Sequence, residues 1–170
     1  MIVFEDQLAR IVEVLPTAKV GNKEALINFG WGTREVLTEY LTLKGKLSFP
    51  LIWLEEGEDT NDLREPSVKR YSRINIIHES QAPSEFNPYQ HEYDFKLILQ
   101  PILDNLLIAL EQSGISRYDN TNFKTKRVKK FSMREELDKS LVFICNAIVL
   151  DAEITFSGIS TCLKTIQFNN

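Results

Sequence analysis

The chain of 170 residues has few of the residues that build disulfide scaffolds and metal sites. It contains two cysteines, Cys145 and Cys162, which lack CxxC spacing, and this excludes a disulfide-rich fold. Its two histidines, His78 and His91, form no HxH, HExxH or Cys/His pair at ligand spacing, so we predict no metal site and expect His78, at a strand end, to be a surface or hydrogen-bonded residue. No run of 18 apolar residues occurs, and we therefore expect no membrane-spanning helix.

The sequence also lacks the short motifs of common enzymes. Neither GxGxxG nor GxxxxGK[ST] occurs, so nucleotide binding has no support. Ser157 lies outside any GxSxG elbow, and the apolar run around Cys145 favours a small core residue over a nucleophile. We therefore predict no enzyme activity, no catalytic residue and no cofactor. The N-terminus shows no basic segment followed by a long apolar stretch, so we expect a chain that begins near Met1 in a cytoplasm.

The composition that is present, 43% apolar and 26% charged, is typical of one globular domain. The net charge of −4 is unevenly distributed, since residues 1–66 carry 12 acidic and 7 basic side chains and residues 101–170 carry 8 and 9. An acidic block at 55–62 contains Glu55, Glu56, Glu58, Asp59 and Asp62. A basic block at 124–130 contains Lys124, Lys126, Arg127, Lys129 and Lys130. The two blocks are suited to joining copies of the chain head to tail, or each is a solvated loop or edge strand.

Hydrophobic periodicity predicts an α+β fold. Apolar residues recur at helical spacing over 4–15, 33–43 and 89–113, with Thr33 expected as the N-cap of the second helix and a kink expected at Pro101 in the third. Strands are predicted at 49–54, 69–78, 147–156 and, as a lysine-guarded edge, at 124–130. This order predicts a mostly antiparallel sheet covered on one face by helices, a two-layer sandwich. We expect a single domain over 1–156 with a long loop at about 55–69, followed by a tail or short extra strand at 157–170.

Three aromatic and acidic features are candidate functional residues. Trp53 is predicted to lie in the core, whereas Trp31, between Gly30 and Gly32 in a predicted loop, is either a core residue or an inter-subunit anchor. Asp151 and Glu153 alternate on one face of the last strand, about 7 Å apart. Such a pair suits Mg²⁺ in a nuclease, and it equally suits a salt-bridged, solvent-facing strand.

Several short sequence segments follow one another along the chain in the order of the predicted elements. Pro-Leu-Ile-Trp-Leu at 50–54 is followed by a long loop, then by Phe-Lys-Leu-Ile-Leu-Gln-Pro-Ile at 95–102 and Leu-Asp-Ala-Glu-Ile at 150–154. Over most of residues 1–156, this layout resembles the small neck and tail-completion proteins of tailed bacteriophages, particularly tail-terminator-like and head-tail connector ring proteins. Residues 157–170 lie outside the pattern.

The resemblance implies a structural virion protein at the phage neck or tail, assembled in the host cytoplasm. Such proteins form homo-oligomeric rings, often hexameric or dodecameric, that contact neighbouring neck, portal-ring or tail proteins. DNA passes through the lumen without sequence-specific binding, and the functional residues lie at interfaces or along the lumen. Two alternatives stay open: a nucleic-acid-binding or Mg-dependent nuclease-like protein that uses the basic block with Asp151 and Glu153, and an adaptor that binds one protein.

Overall fold

The computed structural model describes residues 2–62, 64, 66–82, 87–118, 122–131, 144–158 and 162–168. The helices are α1 (Phe4–Glu13), α2 (Arg34–Lys44), α3 (Asn87–Tyr89) and α4 (Gln100–Gln112), with a 3-10 turn at Gly45–Ser48 and a π-helical segment at Gln90–Leu99. The strands are β1 (Ala18–Val20), β2 (Lys23–Ala25), β3 (Asn28–Gly32), β4 (Leu51–Glu55), β5 (Thr60–Asp62), β6 (Ser67–Glu79), β7 (Ser116–Tyr118), β8 (Lys124–Val128) and β9 (Cys145–Ser157). In these ranges, no helix is long and apolar enough to cross a membrane.

The main sheet is organised around a long antiparallel ribbon of β6 and β9, paired from Ser67 with Ser157 to Glu79 with Cys145. One half of the sheet has the strand order β3-β4-β6-β9-β8. In the other half, β5 pairs with β6 and β7 pairs with β9. The β3–β4 pair is parallel and the other pairs among the described strands are antiparallel, so the predicted α+β class with a mostly antiparallel sheet is confirmed. Strands β1 and β2 form a separate hairpin.

The larger core lies between one face of this sheet and helices α1 and α4. Alternate residues of each strand point to the same face, and those of β9 that enter this core are the ones predicted by period-2 alternation. They are Ile148, Leu150, Ala152, Ile154 and Phe156. From the helices come Phe4, Leu8 and Ile11 of α1 and Leu103, Leu106 and Leu110 of α4.

A smaller core lies on the opposite face of the sheet and includes α2. Leu37 and Leu41 of α2 are buried there with Trp53, whose ring also contacts Tyr40 at a centroid distance of 5.7 Å. The predicted N-cap is observed, since the hydroxyl oxygen of Thr33 accepts a hydrogen bond from the Val36 N–H. Helices therefore pack on both faces, because β4 is apolar at successive positions and needs cover on each side.

The long predicted helix changes geometry near Pro101. The segment Gln90–Leu99 is π-helical and α4 begins at Gln100, one residue before the proline. Proline has no N–H to donate to the preceding turn, so this is a natural place for the hydrogen-bond pattern to change. Gly114 follows the helix with a φ of +75°, as expected for a residue that ends a helix in the left-handed region.

Two predicted loops contain strands. Gly30-Trp31-Gly32 was expected to form a loop, but it belongs to β3, which pairs in parallel with β4. The glycine signal has another cause, since a Cβ on Gly30 would lie 2.6 Å from Cζ3 of Trp53. The predicted loop at 55–69 is also interrupted, because Thr60–Asp62 pairs with β6 as strand β5. Positions 63 and 65 of that loop lie outside the described residues.

We expect Gly30→Ala to lower the free energy of unfolding by about 2 kcal/mol, because the new methyl group overlaps the buried Trp53 ring. Urea denaturation followed by circular dichroism measures this loss. In a Trp53→Phe background the same substitution should cost less than half as much, since the smaller ring leaves space. An equal cost in both backgrounds would contradict the proposed clash.

The C-terminal segment packs on the larger core without regular secondary structure. Leu163, Ile166 and Phe168 contact that core, and the Lys164 N–H donates to the Ser113 carbonyl oxygen at 3.0 Å. Residues 159–161, 169 and 170 of the predicted tail lie outside the described residues.

Candidate functional site

The half-sheet β3-β4-β6-β9-β8 has one edge at β3 and the other at β8. In the ranges that the structure describes, no further strand pairs with the outer side of either one. An edge strand presents unpaired N–H and C=O groups, which makes it a natural place for another chain to bind. Trp31 lies on β3, stacks on Phe29 at 6.1 Å between centroids, and is 53% exposed. Trp53 is buried, as predicted.

The first part of the acidic block lies beside the β3 edge. Glu55 pairs in register with Gly32 at the end of β3, and its carboxylate accepts a hydrogen bond from Asn75 at 2.9 Å. Glu55 and Glu56 line a shallow recess of about 250 Å³ together with Glu35. Three carboxylates against the single guanidinium of Arg34 make this end of the β3 edge acidic.

The second part of the acidic block turns toward β6. Asp59 forms an ion pair with Arg70, with Oδ1 2.6 Å from Nε, and the Asp62 carboxylate accepts the Arg64 N–H at 2.8 Å. Glu58 lies between them and is exposed. The acidic block is therefore divided between the β3 side of the sheet and an ion pair with the buried Arg70.

Arg70 is a buried charge that the sequence analysis missed. It is 5% exposed, its Nη1 lies 2.8 Å from the Glu5 carboxylate, and its guanidinium stacks 4.5 Å from the Phe4 ring. Burial alone would lower the pKa of Arg70, but the hydrogen bond to Asp59 and the negative charge of Glu5 outweigh it and raise the pKa. The burial of Arg70 could have been predicted from the alternation of β6, which places position 70 on the inward face with Val68 and Ile74.

The basic block divides between the two faces of β8. Lys124 and Lys126 are exposed and stand opposite Asp151 and Val149 of β9. Arg127 points to the helical side, where its guanidinium lies 5.8 Å from the Phe95 ring centroid and 3.2 Å from Nδ1 of His91. The other two members, Lys129 and Lys130, follow the strand and are half-buried. Lys124, Lys126 and Arg127 are all exposed, and the two lysines share one face of this basic edge.

Asp151 and Glu153 lie on the open face of the β6–β9 ribbon and face cations. Arg73 binds both Asp151 oxygens, at 2.8 and 3.2 Å, and Lys69 lies 2.8 Å from the Glu153 carboxylate. These ion pairs match the salt-bridged, solvent-facing strand that was predicted as the alternative to a Mg²⁺ site. Within the described ranges, no group of three or more His, Cys, Asp and Glu side chains is placed to hold a metal ion.

A buried polar network also went unrecognised. The Asp94 carboxylate, 1% exposed, accepts hydrogen bonds from Ser80, the Gln81 N–H and the Asn146 side chain. His78 lies opposite Asn146 and is 4% exposed, and neither ring nitrogen has a partner among the described residues. The expectation of a surface or hydrogen-bonded His78 is therefore wrong. Burial lowers the pKa of His78 to about 4, although Asp94 and Glu79 partly offset the effect.

The chain was compared with protein-family models and with curated proteins. No protein-family model matches the chain, and no curated protein matches it.

Proposed function

We propose that the protein is a structural subunit that assembles head to tail into a ring at the neck or tail of a tailed bacteriophage. One observation carries the proposal: the two edges of one half-sheet, to which the described residues add no further strand, carry opposite charge. Carboxylates of Glu35, Glu55 and Glu56 lie beside the β3 edge, and Lys124 and Lys126 lie on the β8 edge. Copies arranged head to tail bring these surfaces together.

A contact between two different surfaces forms a ring when the rotation between subunits closes. The phage assignment rests on the layout that resembles neck and tail-completion proteins, and it places neighbouring ring, portal or tube proteins above and below the ring. A net charge of −4 suits a channel for DNA, because like charges do not retain the passing phosphates. The nuclease-like alternative has less support, since Arg73 and Lys69 already neutralise Asp151 and Glu153.

We expect the purified protein to assemble, with a mass six or twelve times 19.6 kDa by light scattering and ring-shaped particles by negative-stain microscopy. Exchange of Lys124 and Lys126 for Glu should abolish the ring, because acidic groups then face acidic groups. Adding Glu35→Lys and Glu56→Lys in the same chain restores opposite charges and should restore the ring.

The control is the exchange of Lys19 and Lys23 for Glu on the β1–β2 hairpin. It makes the same change in net charge on a hairpin that is separate from the main sheet. A wild-type protein that stays monomeric at high concentration, alone and in virion lysates, would contradict the proposal. Loss of the ring in the control would show that net charge, rather than the β8 edge, controls assembly.

A further inference from the structure

The backbone of β3 is oriented for pairing on both sides. The Asn28 N–H donates to the Pro50 carbonyl oxygen at 2.8 Å, so position 28 faces β4. Successive residues of a strand direct their N–H and C=O groups to opposite sides. Phe29 and Trp31 therefore direct theirs away from β4, toward the open edge.

Exposed apolar side chains flank this edge. Leu26, immediately before β3, is 78% exposed, and Trp31 within it is 53% exposed. Leu47 is 85% exposed, and its carbonyl oxygen accepts a hydrogen bond from the Asn28 side chain at 3.3 Å, which places it beside the start of the strand. Apolar groups beside unpaired backbone groups are what a bound strand would cover.

The β8 edge carries positive charge, opposite to that of the acidic recess beside β3. Lysines on an edge strand discourage unspecific strand pairing, because two such edges repel each other. The same lysines favour an edge that has carboxylates beside it, and the recess of Glu35, Glu55 and Glu56 supplies them next to β3. Pairing β3 with β3 would place acidic groups together, and pairing β8 with β8 would place basic groups together.

We propose that the β3 edge binds the β8 edge of a second copy by strand addition, so that one sheet continues from subunit to subunit. The occupant is a second copy of this chain, since both complementary edges belong to it. This inference rests on the proposed assembly and specifies its contact: backbone hydrogen bonds from Phe29 and Trp31, with Lys124 and Lys126 against the acidic recess.

Trp31→Pro tests the backbone contact, and Trp31→Ala is its matched control. Both substitutions remove the indole, but only proline removes the outward N–H, and it leaves the β3–β4 bonds in place. We expect half-assembly of Trp31→Pro to need about tenfold more protein than that of Trp31→Ala, the effect of one lost hydrogen bond. Equal assembly of the two variants, each folded by circular dichroism, would overturn strand addition.

Site-specific cross-linking gives a second readout that does not depend on the proline variant folding. In a Cys162→Ser background, a Trp31→Cys chain mixed with a Thr125→Cys chain should give a covalent dimer with a short bis-maleimide, because both positions lie on the larger-core face of the sheet. A Lys19→Cys chain in place of the Trp31→Cys chain should give none. A ring that forms without the 31–125 cross-link would overturn this contact and leave the proposed function standing. A protein that never assembles would overturn both.

Discussion

Replacement of Arg70 by methionine is expected to lower the free energy of unfolding by about 3 kcal/mol. Methionine keeps most of the length and apolar contact of the side chain but removes its charge. The Glu5 and Asp59 carboxylates, which lie 2.8 and 2.6 Å from the guanidinium, then lose their partner, and their side chains are only 18% and 29% exposed to water. The cation–π contact with Phe4 is lost as well. Urea denaturation with an unchanged m-value measures the loss.

Lys69→Met is the matched control for this prediction. Lys69 precedes Arg70 in β6 but points to the open face, where its ion pair with Glu153 joins side chains that are 48% and 43% exposed. Water solvates Glu153 whether or not Lys69 is present, so the expected loss of unfolding free energy is below about 1 kcal/mol. Neutralising the carboxylates as well, with Glu5→Gln and Asp59→Asn, should recover part of the stability of Arg70→Met. A similar loss for Arg70→Met and Lys69→Met would contradict a special role for Arg70.

The elements with strong periodicity were predictable from the sequence. Helix α1, the Thr33 cap and the alternation of β9 follow local rules, and each is observed. Strands β3 and β5 were not predicted because contacts with residues far away in the sequence determine them. Gly30 is small because Trp53, 23 positions later, packs against it, and β5 exists because β6 extends beyond β4 and leaves a side for pairing.

The candidate site was predictable in composition but not in position. The two charged blocks are visible in the sequence, and so is their opposite sign. Tertiary contacts decide which members already have a partner. Asp59 is paired with Arg70, and the Arg127 guanidinium lies over the Phe95 ring, although Asp59 and Arg127, like Glu56 and Lys126, are exposed residues. The position of the β3 and β8 edges in one half-sheet required the strand order, since β8 reaches its place only by pairing with β9.

The buried His78 predicts a loss of stability in mild acid. Its pKa is lowered from 6.5 to about 4 by burial, so between these values the unfolded chain binds a proton that the folded chain does not. Stability therefore falls as the pH drops from about 6.5 to about 4, and the full difference amounts to about 3 kcal/mol. Two carboxylates, Asp94 and Glu79, act on the ring and limit the shift, whereas the Phe49 ring, 6.0 Å away, gives a charged imidazole no hydrogen bond.

His78→Phe separates this effect from the titration of carboxylates elsewhere. Phenylalanine preserves the ring beside Phe49 and cannot take up a proton, so its free energy of unfolding should depend less on pH over this interval than that of the wild type. From pH 7 to pH 4, the free energy of unfolding of the wild type should fall by about 3 kcal/mol more than that of the variant. Because the carboxylates are the same in both chains, their contribution cancels in that difference. Parallel pH profiles would mean that His78 is protonated equally in the folded and unfolded chains, contrary to its burial without a hydrogen-bond partner in the described structure.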